Sequence, residues 1–240
     1  MPVWKSSLVA ILGLAVSVAG AAAPDPFDAH CADIMLLRVK AIQTEVGLTA
    51  AQRAKMNTYA DAYNRDINAL KKEAEEKHAN VNAKVVDTFK DFKGNILAQL
   101  TAGQIRRLRE ITLQGLGLAA LRDQFVTDKI GMTKAQATKF DALYKEGAKK
   151  FAETEKAAIE PVLKPYEGKT AKTKEEAAKL DKEVNAKLIA VKKKIEPTLK
   201  KIRDSYDARL RAVLTSEQTK AYKALLGKTY KPAPAAPPKK

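Results

Sequence analysis

The sequence has few of the side chains from which catalytic and metal sites are built. Its 240 residues include two histidines and one cysteine, Cys31, so no disulfide can form within the chain. It contains no plausible Ser-His-Asp set, glycine-rich phosphate loop or metal-ligand helix. We therefore expect no enzymatic activity, no catalytic residues, no bound metal and no cofactor.

Glycine, proline and strand-forming patterns are also scarce. Eleven glycines and ten prolines are few for this length, and no segment alternates apolar and polar residues as a half-buried strand does. Apolar residues make up 45% of the chain, which excludes a collagen-like or wholly disordered protein. They recur at spacings of three and four, and this periodicity predicts an all-α fold of long amphipathic helices.

The N-terminus carries a short apolar segment. Lys5 precedes an apolar run over 8–20, and small residues follow it. That order is typical of a secretory signal peptide, and the run is shorter than the ~20 residues that a membrane-spanning helix needs. We expect 1–22 to be a signal peptide and the protein to be exported to the periplasm, with secretion as the alternative.

Positive charge is concentrated in the second half of the chain. Residues 1–133 carry 17 basic and 14 acidic side chains, whereas residues 134–240 carry 27 and 14, for a net charge of +16. For an exported protein we expect no nucleic-acid partner, which leaves acidic proteins, anionic wall polymer and lipid surfaces. Residues 230–240 are rich in Pro, Ala and Lys and predict a disordered Pro/Lys tail.

A long stripe of apolar residues runs from Met56 to Leu100 without a strong helix breaker before Gly94. The stripe favours one helix of about 45–50 residues, with a hairpin bent near 77–82 as the alternative. His78 lies on the stripe, so we expect a packed histidine there.

A second stripe runs from Leu180 to Val213 with an eleven-residue repeat. Its phase continues through Pro197, which predicts a single, kinked helix over about 173–213. A third apolar arm covers 140–151, and the prolines at 161 and 165 predict its end.

One short motif, an apolar residue followed by Thr-x-x-Gln, occurs four times. Thr-x-x-Gln is a capping box, in which the threonine and glutamine satisfy two orphan amides at a helix start. Gly47 and Gly131 are predicted to close the preceding helices in the left-handed conformation. Each motif therefore predicts a tight corner between helices, and the residues are Leu48, Thr49, Gln52, Leu100, Thr101, Gln104, Met132, Thr133, Gln136, Leu214, Thr215 and Gln218.

The motifs expose an internal duplication. The residues at 37–55 recur 84 positions later at 121–139, with Leu-Arg, Gly, Thr, Ala, Gln and Lys at the same spacing. We predict two tandem helical units, 23–130 and 131–229, in an elongated or cradle-like arrangement. The motifs of a pair are 52 residues apart in the first unit and 82 in the second, so the second unit is longer by 30 residues.

These features resemble the LTxxQ-motif family of bacterial periplasmic proteins, the Spy/CpxP-like proteins, in a tandem two-unit version. The matching features are the signal peptide, the basic charge, the helical pattern and the four motifs. The resemblance implies bent helices that dimerise into a cradle and hold unfolded clients on a positively charged surface without ATP. Family relatives also act in metal tolerance or restrain envelope-stress sensors. The implied partners are unfolded or envelope proteins and a second copy of the chain.

Client holding requires a surface that combines apolar contacts with positive charge. Candidate residues are Lys192–Lys194 and 200–203, which flank the second stripe, although such lysines also form ordinary solvated helix faces. The alternative is a structural or envelope-tethering protein that binds anionic wall polymer or lipid head groups. The two functions differ in whether the folded chain leaves apolar surface exposed.

The best candidate metal ligands lie together near residue 30, in a segment that contains Asp28, His30, Cys31 and Asp33. Histidine and cysteine are good zinc or copper ligands, but adjacent helical residues point in different directions. The sequence leaves open whether His30 and Cys31 bind metal, and whether Cys31 is a buried apolar residue or an intermolecular disulfide.

Overall fold

A computed structural model describes residues 23–171 and 173–231. Of these residues 82% are helical, in nine α-helices, and none lies in a strand, which confirms the all-α prediction. The predicted signal peptide, 1–22, and residues 232–240 of the predicted tail lie outside the described residues. Within the described ranges, no helix is long and apolar enough to cross a membrane.

Short helices form the base of the molecule, and two helical hairpins extend from it. The α-helices α1 to α9 cover, in order, Pro26–Cys31, Lys40–Val46, Ala50–Lys77, Asn82–Leu97, Ala102–Leu116, Gln124–Lys129, Lys134–Leu163, Lys174–Arg211 and Ser216–Leu226. Three 3-10 helices cover Ile34–Arg38, Gly117–Arg122 and Lys164–Tyr166. The most extensive helix contact joins α7 to α8, and the next joins α3 to α4. We call these pairs the long hairpin and the short hairpin.

The short hairpin corrects our prediction of one continuous helix. α3 ends where His78 adopts a left-handed φ of 49°, and the Asn80 side chain accepts a hydrogen bond from the amide of Asn82 at the start of α4. Tyr63 then stacks on Phe92 across the two arms, with ring centroids 4.6 Å apart. One continuous helix and a helical hairpin both bury one apolar face, so the spacing of the apolar residues does not distinguish them. His78, predicted to be packed, is instead exposed.

The long hairpin confirms the second predicted helix. α8 continues through Pro197, and every apolar residue of the stripe between Leu180 and Val213 is buried or half-buried. α7 contains Pro161, and a turn with Gly168 at a φ of 75° follows the last 3-10 helix. Helices tolerate an internal proline when tertiary packing offsets the lost hydrogen bond. The long hairpin spans 134–211, 30 residues more than the span 50–97 of the short one.

Two hydrophobic clusters lie at the bases of the hairpins. The first cluster contains Ala32, Ile34, Leu37, Ile42, Val46, Leu48, Met56, Ile96, Leu100, Ile105, Leu108 and Ile111. The second contains Phe27, Leu113, Ala120, Leu121, Val126, Ile130, Met132, Phe140, Leu210, Val213 and Tyr222. α5 contributes to both clusters, so the two bases share one helix.

The arms beyond these clusters are two-helix layers. No described residue is fully buried over 57–95 in the short hairpin or over 141–198 in the long one. Two packed helices cover only one face of each other, so the apolar side chains along the seam remain partly open to solvent at both edges.

Candidate functional site

All four predicted capping boxes are present. In each motif the threonine Oγ1 accepts a hydrogen bond from the glutamine backbone amide at 3.1–3.2 Å. The glutamine Oε1 accepts one from the threonine amide at 2.9–3.0 Å. Gly47 and Gly131 adopt φ values of 73° and 71°, as predicted. The motifs therefore mark the helix corners, including the one with a methionine lead.

The motifs also meet in pairs, and we did not predict this contact. At the base of the short hairpin, Gln52 Nε2 donates to Gln104 Oε1 at 2.9 Å and to the carbonyl oxygen of Gln99 at 2.7 Å. Gln104 Nε2 donates to Gln52 Oε1 at 3.2 Å and to the carbonyl oxygen of Gly47 at 2.9 Å. Each amide thus uses both N–H donors and accepts two hydrogen bonds. We call this pair the first glutamine clamp.

The base of the long hairpin carries the same arrangement, the second glutamine clamp. Gln136 Nε2 donates to Gln218 Oε1 and to the carbonyl oxygen of Val213, both at 2.9 Å. Gln218 Nε2 donates to Gln136 Oε1 at 3.0 Å and to the carbonyl oxygen of Gly131 at 2.8 Å. One motif precedes each hairpin and one follows it, so antiparallel arms bring the two motifs together. The two motifs of each pair were visible in the sequence. They predict a contact with each other only if the chain between them is taken to form a hairpin.

A buried ion pair joins the two bases. Asp28 and Arg109 are both buried, and Arg109 Nε donates to Asp28 Oδ1 at 2.9 Å. The same guanidinium donates to the carbonyl oxygen of Leu225 in α9 and lies over the Phe27 ring, 5.6 Å from its centroid. α1, α5 and α9 are therefore held at one point.

α5 also binds the end of α9 and the chain that follows it. Gln114 Nε2 donates to the carbonyl oxygens of Leu226 and Lys228 at 2.6 and 2.8 Å. The amide of Tyr230 donates to Gln114 Oε1 at 2.7 Å, and its side chain packs on the first cluster. We expected a solvated tail from residue 230 onward, and for Tyr230 this expectation is wrong. The physical reason is that Gln114 supplies both a donor and an acceptor to the extended segment.

The candidate client-binding lysines lie on the outer surface of α8. Lys192, Lys193 and Lys194 are exposed, and Lys192 Nζ lies 3.6 Å from Glu155 of α7. Lys193 and Lys194 have no ion pair within the described part of the chain. The apolar stripe that these lysines flank packs against α7, so its residues reach solvent only along the edges of the seam. Ile189, outside the stripe, is 68% exposed.

The candidate metal ligands are used in packing. His30 Nε2 lies 2.9 Å from Asp123 Oδ2, and the imidazole stacks on the Phe125 ring at 3.9 Å. Asp28 pairs with Arg109, as described above. Desolvation raises the pKa of the half-buried Cys31 thiol to about 11, so the neutral thiol predominates at physiological pH. Among the described residues, no three His, Cys, Asp or Glu side chains come together as metal ligands.

No protein-family model matches the chain, and searches of curated proteins and of solved structures found no match. The resemblance to the LTxxQ-motif family therefore depends on the predicted signal peptide, the basic charge, the helical pattern and the four motifs.

Proposed function

We propose that the protein is an exported, ATP-independent holding chaperone that resembles the Spy/CpxP-like proteins. Its clients are unfolded or stress-exposed envelope proteins, bound on the long hairpin in an elongated or cradle-like arrangement. The single observation that carries this proposal is the open construction of the hairpin. No described residue is fully buried over 141–198, and the span 134–211 carries 21 basic against 13 acidic side chains.

The mechanism combines long-range charge with weak apolar contact. Lysines on the outer surface attract acidic, unfolded segments, and salt screens this attraction. Partly exposed apolar side chains along the seam then hold the client through many small contacts. A client that folds buries its own apolar side chains and loses these contacts, so release needs no nucleotide.

The second candidate function is envelope tethering by charge alone, with anionic wall polymer or lipid head groups as partners. One observation favours it, namely that the stripe of α8 faces α7 and that few large apolar side chains are exposed among the described residues. Those identified are Val39, Val86, Leu116, Phe125, Leu163 and Ile189. A role in metal tolerance or as a stress-sensor accessory, and homodimerisation, rest on the resemblance only.

The test measures aggregation of a chemically unfolded acidic client by light scattering, at low and high salt, with the chain that begins at residue 23. The protein's only tryptophan is Trp4, so client tryptophan fluorescence reports binding directly. We expect suppression that weakens with salt. We expect the variant Lys192→Gln/Lys193→Gln/Lys194→Gln to suppress less than the wild type.

A matched control removes the same charge from the short hairpin, through Lys71→Gln/Lys72→Gln/Lys77→Gln. This set also contains one weakly paired lysine, Lys72, with Nζ 3.6 Å from Glu76. The control should suppress aggregation as well as the wild type. No suppression at several-fold molar excess would reject the chaperone function. Binding to anionic vesicles or wall polymer in that case would favour tethering.

A further inference from the structure

The two units differ in the surroundings of one equivalent arginine, which lies near the base of each hairpin. In the second unit, Arg122 Nε donates to Asp141 Oδ1 at 2.8 Å, and the guanidinium lies 4.6 Å from the centroid of the Tyr144 ring. The carboxylate and the ring both come from about the third turn of α7. In this unit the arginine therefore has an internal anion and an internal aromatic partner.

The first unit keeps the arginine but lacks both partners. The residues 84 positions earlier are Arg38, Asn57 and Ala60, and Arg38 ends a 3-10 helix as Arg122 does. Asn57 has the shape of aspartate without its charge, and Ala60 has no ring. Arg38 makes no hydrogen bond or ion pair with any described residue. A guanidinium stays charged at all physiological pH values.

A cavity of about 300 Å³ occupies this position in the first unit, and Arg38, Asn57 and Ala60 all line it. Its apolar lining includes Leu37, Met56, Tyr63, Phe92 and Ile96, and no acidic side chain lines it. The volume is about twice that of an engineered 150 Å³ cavity that binds benzene. It also reaches the lower end of the range for natural ligand sites, about 300–1,000 Å³.

We propose that this cavity binds a small aromatic carboxylate. The ligand's carboxylate pairs with Arg38 as Asp141 pairs with Arg122, and its ring takes the place of Tyr144. The lining fits this chemistry because it combines apolar walls with the positive charges of Arg38 and Arg53. Arg53 also donates to the carbonyl oxygen of Leu48, which fixes its position at the cavity. The site is separate from the long hairpin and does not depend on the chaperone function.

The test uses 3-(4-hydroxyphenyl)propionate as the probe, with isothermal titration calorimetry and saturation-transfer NMR on the chain from residue 23. We expect binding by the wild type, with at least about tenfold loss of affinity in Arg38→Gln because a charge-assisted hydrogen bond is removed. The uncharged amide of the probe should lose affinity similarly. Arg65→Gln, at an exposed position of α3, is the matched control and should bind as the wild type does.

A second variant converts the first unit to the arrangement of the second. Asn57→Asp/Ala60→Tyr supplies the missing carboxylate and ring, so it should abolish probe binding and raise the melting temperature in the absence of probe. If circular dichroism shows that this variant does not fold, Asn57→Asp alone provides the competing carboxylate and should weaken binding. No detectable binding at millimolar probe, or equal binding by the wild type and Arg38→Gln, would overturn the proposal.

Discussion

The short and the long hairpin have equivalent bases but different arms. Each is closed by a glutamine clamp with the same pattern of donors and acceptors. The span 50–97 carries 9 basic and 7 acidic side chains, whereas 134–211 carries 21 and 13. The clamp holds the corner where the two arms begin, so residues added at the far end leave it unchanged. The comparison teaches that one kind of base can carry arms that differ in length and charge.

The two hairpins also fill equivalent space between their arms with different side chains. In the short hairpin, Tyr63 of α3 stacks on Phe92 of α4. The position 84 residues after Tyr63 is Gly147, and a Cβ there would lie 2.8 Å from the Cγ atom of Tyr206. A single ring from α8 thus fills the space that two stacked rings fill in the short hairpin, which requires a glycine opposite it.

The largest expected effect comes from Arg109→Ala, which removes one of the links between the two units. Asp28 would remain buried with only Arg106 near it, at 3.5 Å, and the carbonyl oxygen of Leu225 would lose a donor. Removing one partner of a buried pair costs about 3–5 kcal/mol. We expect a loss of this size in urea unfolding, together with faster amide hydrogen exchange in α9.

Arg106→Ala is the matched control for this prediction. The Arg106 side chain is 63% exposed, so its loss should change the free energy of unfolding by less than about 1 kcal/mol. Equal effects of the two variants would show that the buried pair does not hold the bases together.

Next in size, loss of a glutamine clamp tests whether the two bases are equivalent. Gln218→Leu removes a capping partner, the two hydrogen bonds that Gln136 shares with Gln218, and the donor to the carbonyl oxygen of Gly131. We expect a loss of about 2–3 kcal/mol in urea unfolding, from the cap and the unsatisfied groups together. Gln104→Leu should cost a similar amount, because its side chain makes the corresponding bonds.

Thr173→Ala gives the control for the clamp. The Thr173 hydroxyl caps α8 by accepting from the amide of Glu176, in a cap without the glutamine pairing of the clamps, so its loss should cost only about 1 kcal/mol. A double-mutant cycle on Gln136→Ala and Gln218→Ala should give a coupling energy of about 0.5–3 kcal/mol. Additive effects would mean that the two glutamines act as separate caps.

The features that could be predicted from the sequence are those that depend on neighbouring residues. The four capping boxes, the left-handed Gly47 and the continuous α8 were predictable, because each depends on residues within one or two helical turns. The turn of the short hairpin was predicted only as the alternative, near 77–82, because neither His78 nor Asn80 is a strong helix breaker. The clamps and the packing of Tyr230 join residues far apart in the chain, and a single sequence gives no register for such contacts.

The smallest expected effect comes from replacing one glycine by alanine in each hairpin, which compares the packing of the two pairs of arms. Gly94→Ala in α4 places its Cβ in open space, so we expect stabilisation by about 0.5–1 kcal/mol from helix propensity and a less flexible unfolded chain. Gly147→Ala gains the same propensity, but its Cβ meets Tyr206 close to that residue's backbone. Overpacking of this kind costs about 1–3 kcal/mol, so the net change should be destabilising.

The two variants are expected to change stability in opposite directions. Because both are Gly→Ala substitutions within a helix, the difference between them reports the packing around each glycine. Thermal unfolding of both variants, followed by circular dichroism, provides the measurement. The double variant Gly147→Ala/Tyr206→Leu should recover most of the loss, since a leucine leaves room for the added methyl group. If Gly147→Ala is instead as stable as Gly94→Ala, Tyr206 does not pack against the glycine, and the two hairpins do not differ in the way described.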